Sequence, residues 1–225
     1  MATNQAVVVD QSDPSKLTIQ DVPMPNPSPS EALVRVSAIS LNRGETRRSF
    51  QAEDGWRPGW DLAGVVEQAA SDGSGPLVSE RVVGFLPEGA WAQHVVVPSQ
   101  SLAPLPDTVS FAQAATLPVA GLTALYALTK RGELLGRRVL VTGATGGVGD
   151  FAIQLSRLSG AHVVASVRRA DQVSEVHESG ADDVVIGDNI SDFAAYGPYD
   201  LVCLLYTSDA ADEGLGVDLG GRRII

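Results

Sequence analysis

The stretch Val139-Leu140-Val141-Thr142-Gly143-Ala144-Thr145-Gly146-Gly147-Val148-Gly149 limits the possible folds of this chain more than any other. An apolar strand runs into a glycine-rich turn, and the turn opens directly into an apolar helix. Gly143, Gly146 and Gly149 read GxxGxxG; counted from Ala144, the pattern is GxGxxG with alanine first. A turn without Cβ atoms lets backbone N–H groups and a helix N-terminus approach a pyrophosphate. A bare glycine pattern is weak, and a merely structural turn competes with this reading. The flanking strand and helix, with a second strand about 20 residues on, supply the context that nucleotide binding requires. Gly143, Thr145, Gly146, Gly147, Val148 and Gly149 are therefore candidate cofactor-binding residues.

That second strand, Ala161-Val167, runs into Ser166-Val167-Arg168-Arg169. An acid at the strand end would suit the ribose 2′-hydroxyl of NAD, whereas arginine suits the 2′-phosphate of NADP. No acid stands there, and Asp171 falls where the next helix is expected to begin, its charge matched to the dipole. Ser166, Arg168 and Arg169 join the candidate set and NADPH is the favoured cofactor. A solvated helix start is the other reading of the arginine pair.

Upstream the chain is β-rich and punctuated by turns. Apolar runs at Ala6-Val9, Lys16-Val22, Glu31-Leu41, Leu62-Gln68, Arg81-Phe85 and Ala90-Val97 are separated by loops such as Pro23-Ser30. Such spacing predicts a barrel or sandwich-like unit. From Val109 the period changes. Ser110 is a candidate N-cap for Phe111-Ala115, and Ala120-Lys130 has helical periodicity. Strand and helix then alternate: Arg138-Val141, Val148-Leu158, His162-Val167, Asp171-Glu178, Asp183-Ile186, and a last strand from Asp200. This is the βαβ pattern of a parallel sheet. The expected division is 1–118 and 119–225.

Over 225 residues the formal charge is −11, a field that disfavours nucleic acid and anionic membranes as partners. The single cysteine, Cys203, excludes an internal disulfide and a multi-cysteine zinc site. No basic-then-apolar leader opens the chain, and no apolar run reaches the ~18 residues of a membrane span. A cytoplasmic location is expected.

In order along the chain, EALVRVSAISLNRGE, PGWDLAGVVE, RVVGFLPEGAWAQHVVVP, AATLPVAGLTALYAL and VLVTGATGGVG resemble the zinc-independent quinone oxidoreductase branch of the medium-chain dehydrogenase/reductase superfamily. The resemblance implies an α/β protein, with an N-terminal GroES-like catalytic domain followed by a Rossmann domain. NADPH would lie in the cleft, donating hydride to a quinone or an α,β-unsaturated carbonyl. Enoyl-thioester reductases are the enzymatic alternative, and a non-catalytic NADPH-binding protein is the other.

Zinc members of the superfamily resemble this chain but carry Cys where Asn42 stands and Gly-His-Glu where Gly59-Trp60-Asp61 stands. No metal is expected. The resemblance implies Asn42 as the catalytic residue, its amide donating to the reacting carbonyl. A local turn bond is the alternative role. Thr123 is carried over as a residue near the nicotinamide. Glu45 is expected to be structural rather than a base. Trp60 and Trp91 are expected to be packing. Arg47 replaces a tyrosine that many relatives have, so no step is assigned to that tyrosine.

From Cys203 the chain departs from the family pattern. LLYTSDAADE reads like translated sequencing adapter, and the expectation is that residues 203–225 are not natural. A shortened helix followed by a strand is the alternative. The Rossmann domain is then expected to be incomplete, with weak NADPH binding and no sustained turnover in the chain as written. A homodimer is open only to a full-length parent.

Overall fold

Alternating burial builds the first part of the molecule. In the computed structural model, which describes residues 3–187 and 189–203, the chain divides into two units, Met1–Val119 and Ala120–Ile225. The first unit begins with β1 (Thr3–Val9) and β2 (Leu17–Pro23), an antiparallel ribbon. Then follow β3 (Glu31–Ile39), a short helix α1 (Arg43–Ser49), β4 (Asp61–Gln68), β5 (Arg81–Phe85), β6 (His94–Pro98), β7 (Leu102–Pro104) and helix α2 (Phe111–Ala115). The last five strands of this unit form one antiparallel sheet in the order β6-β3-β4-β5-β7. Register shifts between Leu33 and Val34 and between Val36 and Ala38 bend β3, as bulges do, and curl the sheet. Ala32, Val34, Leu62, Val66, Val82, Val95 and Val97 fill its inner face. Ser110 caps α2 as expected, its hydroxyl accepting from the Gln113 backbone N–H (3.2 Å).

Two expectations need correction. The run Ala90-Val97 becomes strand only from His94. Before it, Ala90 N–H donates to Gly59, Trp91 N–H to Pro58 and Gln93 N–H to Gln5, so these residues serve three different neighbours rather than one ladder. The helix at Ala120-Lys130 begins as a π-turn, Leu117–Gly121, and becomes α-helical only at Leu122.

The second unit contains α3 (Leu122–Thr129), β8 (Arg138–Val141), α4 (Gly147–Leu158), β9 (His162–Val167), α5 (Val173–Glu178), β10 (Asp183–Ile186), α6 (Ile190–Ala194) and β11 (Leu201–Cys203). Asp171 lies in a single 3-10 turn, Ala170–Gln172, that leads into α5. The strands are parallel in the order β10-β9-β8-β11. Val139, Val141, Val163 and Ala165 pack with Ala152 and Ile153 of α4. Leu140, Val164 and Val185 point to the other face, under Phe193, Tyr196 and Tyr199. Both faces are covered, which is why β8 and β9 read as continuous apolar runs. The order reverses beside β8, and in open parallel sheets ligands bind beyond the C-terminal ends of strands at that switch point. The glycine turn sits there. Residues 204–225, most of the segment expected to be unnatural, lie outside the described residues. Cys203 itself is paired with Val141 in β11.

Candidate functional site

The glycine turn leaves β8 through Gly143, whose φ of +59° is costly for a side chain. Gly146 N–H donates back to Gly143 O (2.9 Å), closing the turn, and Gly146 caps α4. A Cβ on Gly149 would overlap Gly143 O and come within 2.9 Å of the Ala144 Cα and carbonyl oxygen. Only glycine lets the first turn of α4 lie this close to the strand end. The first-turn N–H groups, Gly147 and Val148 among them, have no intrahelical acceptor and face the position of an anion. Asp150, in the same turn, keeps its carboxylate on the Ser179 hydroxyl (2.5 Å) and the Gln154 amide (2.8 Å). This cradle fits a nucleotide pyrophosphate.

The other nucleotide candidates lie in the same unit. Thr145 accepts from Gln172 Nε2 (3.4 Å), which ties the loop to the turn after β9. Arg168 and Arg169 are exposed immediately beyond β9, and Arg169 Nε pairs with Asp171 (2.9 Å). Ser166 is buried and its hydroxyl donates to Gly187 O (2.8 Å), so it braces β9 against the chain beyond β10. Ala120 comes within 3.5 Å of where a Gly147 Cβ would stand, which sets the start of α3 beside the loop. Thr123 is exposed on that helix.

Asn42 belongs to the first unit and caps α1 in a reciprocal box with Glu45. Its side-chain Nδ2 donates to Asp61 Oδ2 (2.8 Å) and Glu45 Oε1 (2.9 Å), with Ser40 Oγ at 3.2 Å. Two N–H bonds thus face three acceptors. Both amide hydrogens are engaged within the first unit, by the buried carboxylates of Asp61 and Glu45 and by Ser40. Oδ1 of Asn42 has two lone pairs and spends at most one on the helix cap, which leaves acceptor capacity for a further donor.

Glu45 is 0% exposed. Its Oε1 also accepts from Asn42 N–H (2.7 Å), and Oε2 accepts from Trp60 N–H (2.6 Å). Burial pushes its carboxyl above the ordinary glutamate range, while the bonds from Asn42 and Trp60 oppose that shift. It holds backbone together and reaches no surface. Trp91 is buried, and its Nε1–H donates to Ser40 O (3.2 Å). Trp60 is half-buried and Arg47 is exposed on α1.

His94 pairs with Glu67, His162 with Asp183, and His177 bonds to Ala181 O, each at a separate place. Among the described residues no group of three or more His, Cys, Asp or Glu converges to hold a metal ion.

Residues 28–107 match the alcohol dehydrogenase GroES-like domain. The "probable oxidoreductase" of Mycobacterium abscessus superimposes with a TM-score of 0.81 at 31% identity, over 89% of this chain and 68% of that one. The chloroplast envelope quinone oxidoreductase homolog of Arabidopsis thaliana is 36% identical over 180 residues, covering 73% of this chain and 54% of that protein. The chain belongs to the quinone oxidoreductase-like branch of the medium-chain dehydrogenase/reductase superfamily. Its two units are that superfamily's GroES-like domain and parallel-sheet, Rossmann-like region. This family member spans about half the length of the chloroplast relatives it matches. It is also 34% identical to a mycocerosic acid synthase-like polyketide synthase of Mycobacterium tuberculosis, over 88% of this chain and 10% of that protein.

Proposed function

We propose that the protein carrying this chain is an NADPH-dependent, zinc-independent oxidoreductase that reduces quinones or α,β-unsaturated carbonyl compounds. The observation that carries the reading is the glycine cradle at the switch point of the parallel sheet, with arginines rather than an acid beyond β9. NADPH, when bound, supplies the hydride. The chain's residues bind and orient it. The α4 N-terminus takes the pyrophosphate, Arg168 and Arg169 take the 2′-phosphate, and Thr123 stands near the nicotinamide. Asn42 accepts a hydrogen bond from a hydroxyl or N–H of the bound ligand through Oδ1. An acceptor that is already electron-poor needs orientation rather than a Lewis acid. The likeness to a polyketide synthase favours an enoyl thioester as the alternative substrate.

NADPH oxidation is to be followed with a quinone, an enone and an enoyl thioester offered separately. Turnover with the first or second supports the reading, and turnover with the thioester alone moves it to the alternative. Stoichiometric NADPH binding without turnover on any of them would make this a binding protein.

Cofactor choice has its own expected result. Replacing Arg168 and Arg169 by alanine should weaken NADPH about a hundredfold and leave NADH nearly unchanged. A charge-assisted hydrogen bond is worth ~1.5–3 kcal/mol, and exposure keeps these two at the low end. Equal NADPH and NADH affinities in the unaltered protein at moderate salt would refute the assignment.

Activity should also survive exhaustive chelation. Both carboxylates beside Asn42 already accept hydrogen bonds from N–H groups, so neither offers a zinc ligand. Stoichiometric zinc lost together with activity would overturn this.

A further inference from the structure

The carboxylate of Asp61 is 0% exposed and receives donors on both oxygens. Oδ2 accepts from Asn42 Nδ2 (2.8 Å) and, in a short bond, from the Ser40 hydroxyl. Oδ1 accepts from the backbone N–H of Val119 (3.0 Å), the last residue of the first unit. Every partner donates and none accepts. Both oxygens of the side chain are acceptors, and an amide in its place would turn an N–H group toward one of these donors.

We propose that Asp61 is a positioning residue that sets the polarity of Asn42. It holds the amide inward so that Oδ1, an acceptor, is the end presented to ligand. The same carboxylate also anchors the segment that leaves the first unit. Glu45 contributes to the orientation, since its Oε1 takes the Asn42 backbone N–H and side-chain amide together. It lies three residues away and is part of the helix cap. Asp61 comes from β4, so the orientation of Asn42 depends on how a strand packs against a helix start. The ligand group that Asn42 recognises is therefore a hydroxyl or N–H, and a bare carbonyl oxygen finds no donor there. This inference rests on the proposed oxidoreductase reading for the ligand at Asn42 and for the kinetic test, whereas the hydrogen bonds that hold Asn42 do not depend on it.

Asp61→Asn keeps size and shape but places an N–H2 on one side. Facing Asn42, it turns that amide over; facing Val119, it releases the exit segment. If Asp61 acts through Asn42, the substitution should lower kcat/KM about tenfold in the unaltered protein. In the Asn42→Ala background it should change kcat/KM less than twofold. Equal fold-losses in both backgrounds would mean that Asp61 only supports the fold, and would overturn the proposal.

A second measurement does not depend on turnover. In proton–nitrogen spectra, the side-chain amide of Asn42 and the backbone amide of Val119 should both be protected from solvent exchange. In Asp61→Asn at least one of the two should lose that protection. Unprotected Asn42 amide protons in the unaltered protein would also overturn the proposal. Protected protons in a protein that reduces no quinone, enone or thioester would leave the clamp standing and remove the function instead.

Discussion

Glu45→Ala is expected to destabilise the first unit by about 3–6 kcal/mol, a large share of the ~5–15 kcal/mol that holds a typical domain. The substitution leaves the half-buried N–H groups of Asn42 and Trp60 without their acceptor, at about 1–3 kcal/mol each, and opens a cavity as well. Trp56, Trp60 and Trp91, the only tryptophans, all lie in this unit, so denaturant titration followed by their fluorescence reads it selectively. A midpoint unchanged from the unaltered protein would refute the role. Glu45→Gln should cost less, because its carbonyl can still satisfy one side.

The pH dependence follows from the same burial. The folded carboxyl of Glu45 sits above the ordinary value of 4.5, so between that value and its folded pKa the native state holds more protons than the unfolded chain. Its contribution is complete below 4.5 and is lost as pH rises through the folded pKa. Asp10, Asp13, Asp72, Asp171 and Asp200 are shifted the other way by hydrogen bonds, so their contributions are lost as pH falls below 3.8. A stability profile that falls with rising pH above 4.5, and flattens in Glu45→Gln, is expected.

Gly149→Ala is expected to raise the NADPH dissociation constant at least about a hundredfold and to cost the second unit about 1–3 kcal/mol. The new methyl would collide with the backbone of Gly143 and Ala144, which has no side-chain freedom to yield. The loop must open, and the helix start moves away from the pyrophosphate position. Gly147→Ala is the control for folding. Its Cβ would meet only the Ala120 methyl at 3.5 Å, an ordinary contact, so thermal unfolding should be unchanged or slightly later. Calorimetric titration of NADPH into the Gly149 variant with undiminished affinity would remove the cradle from the site.

The glycine turn was legible because its whole signal is local. A strand, a turn and a helix follow one another within 139–158, and the glycines mark where backbone must approach backbone or ligand. The parallel strands were legible for a related reason, since burial on both faces leaves continuous apolar runs. Helix α1 was missed. Its sequence RGETRRS has no apolar stripe, and its inner face is Gly44, Glu45 and Ser49. The helix is held by a buried carboxylate that accepts from the Trp60 N–H, 15 residues away, which no periodicity reveals.

By itself, then, the sequence determined a β-rich first half, a βαβ second half, a glycine turn between β8 and α4, and arginines beyond β9. Each of these depends on neighbours within a few turns of chain. Only the tertiary structure decided what Asn42 can do. Its amide is turned inward by Asp61, 19 residues away, and Asp61 is held in turn by Val119, 58 residues further on. The direction of a hydrogen bond depends on which donors and acceptors meet in space. A residue type fixes the available groups, and packing decides which of them remains for a ligand.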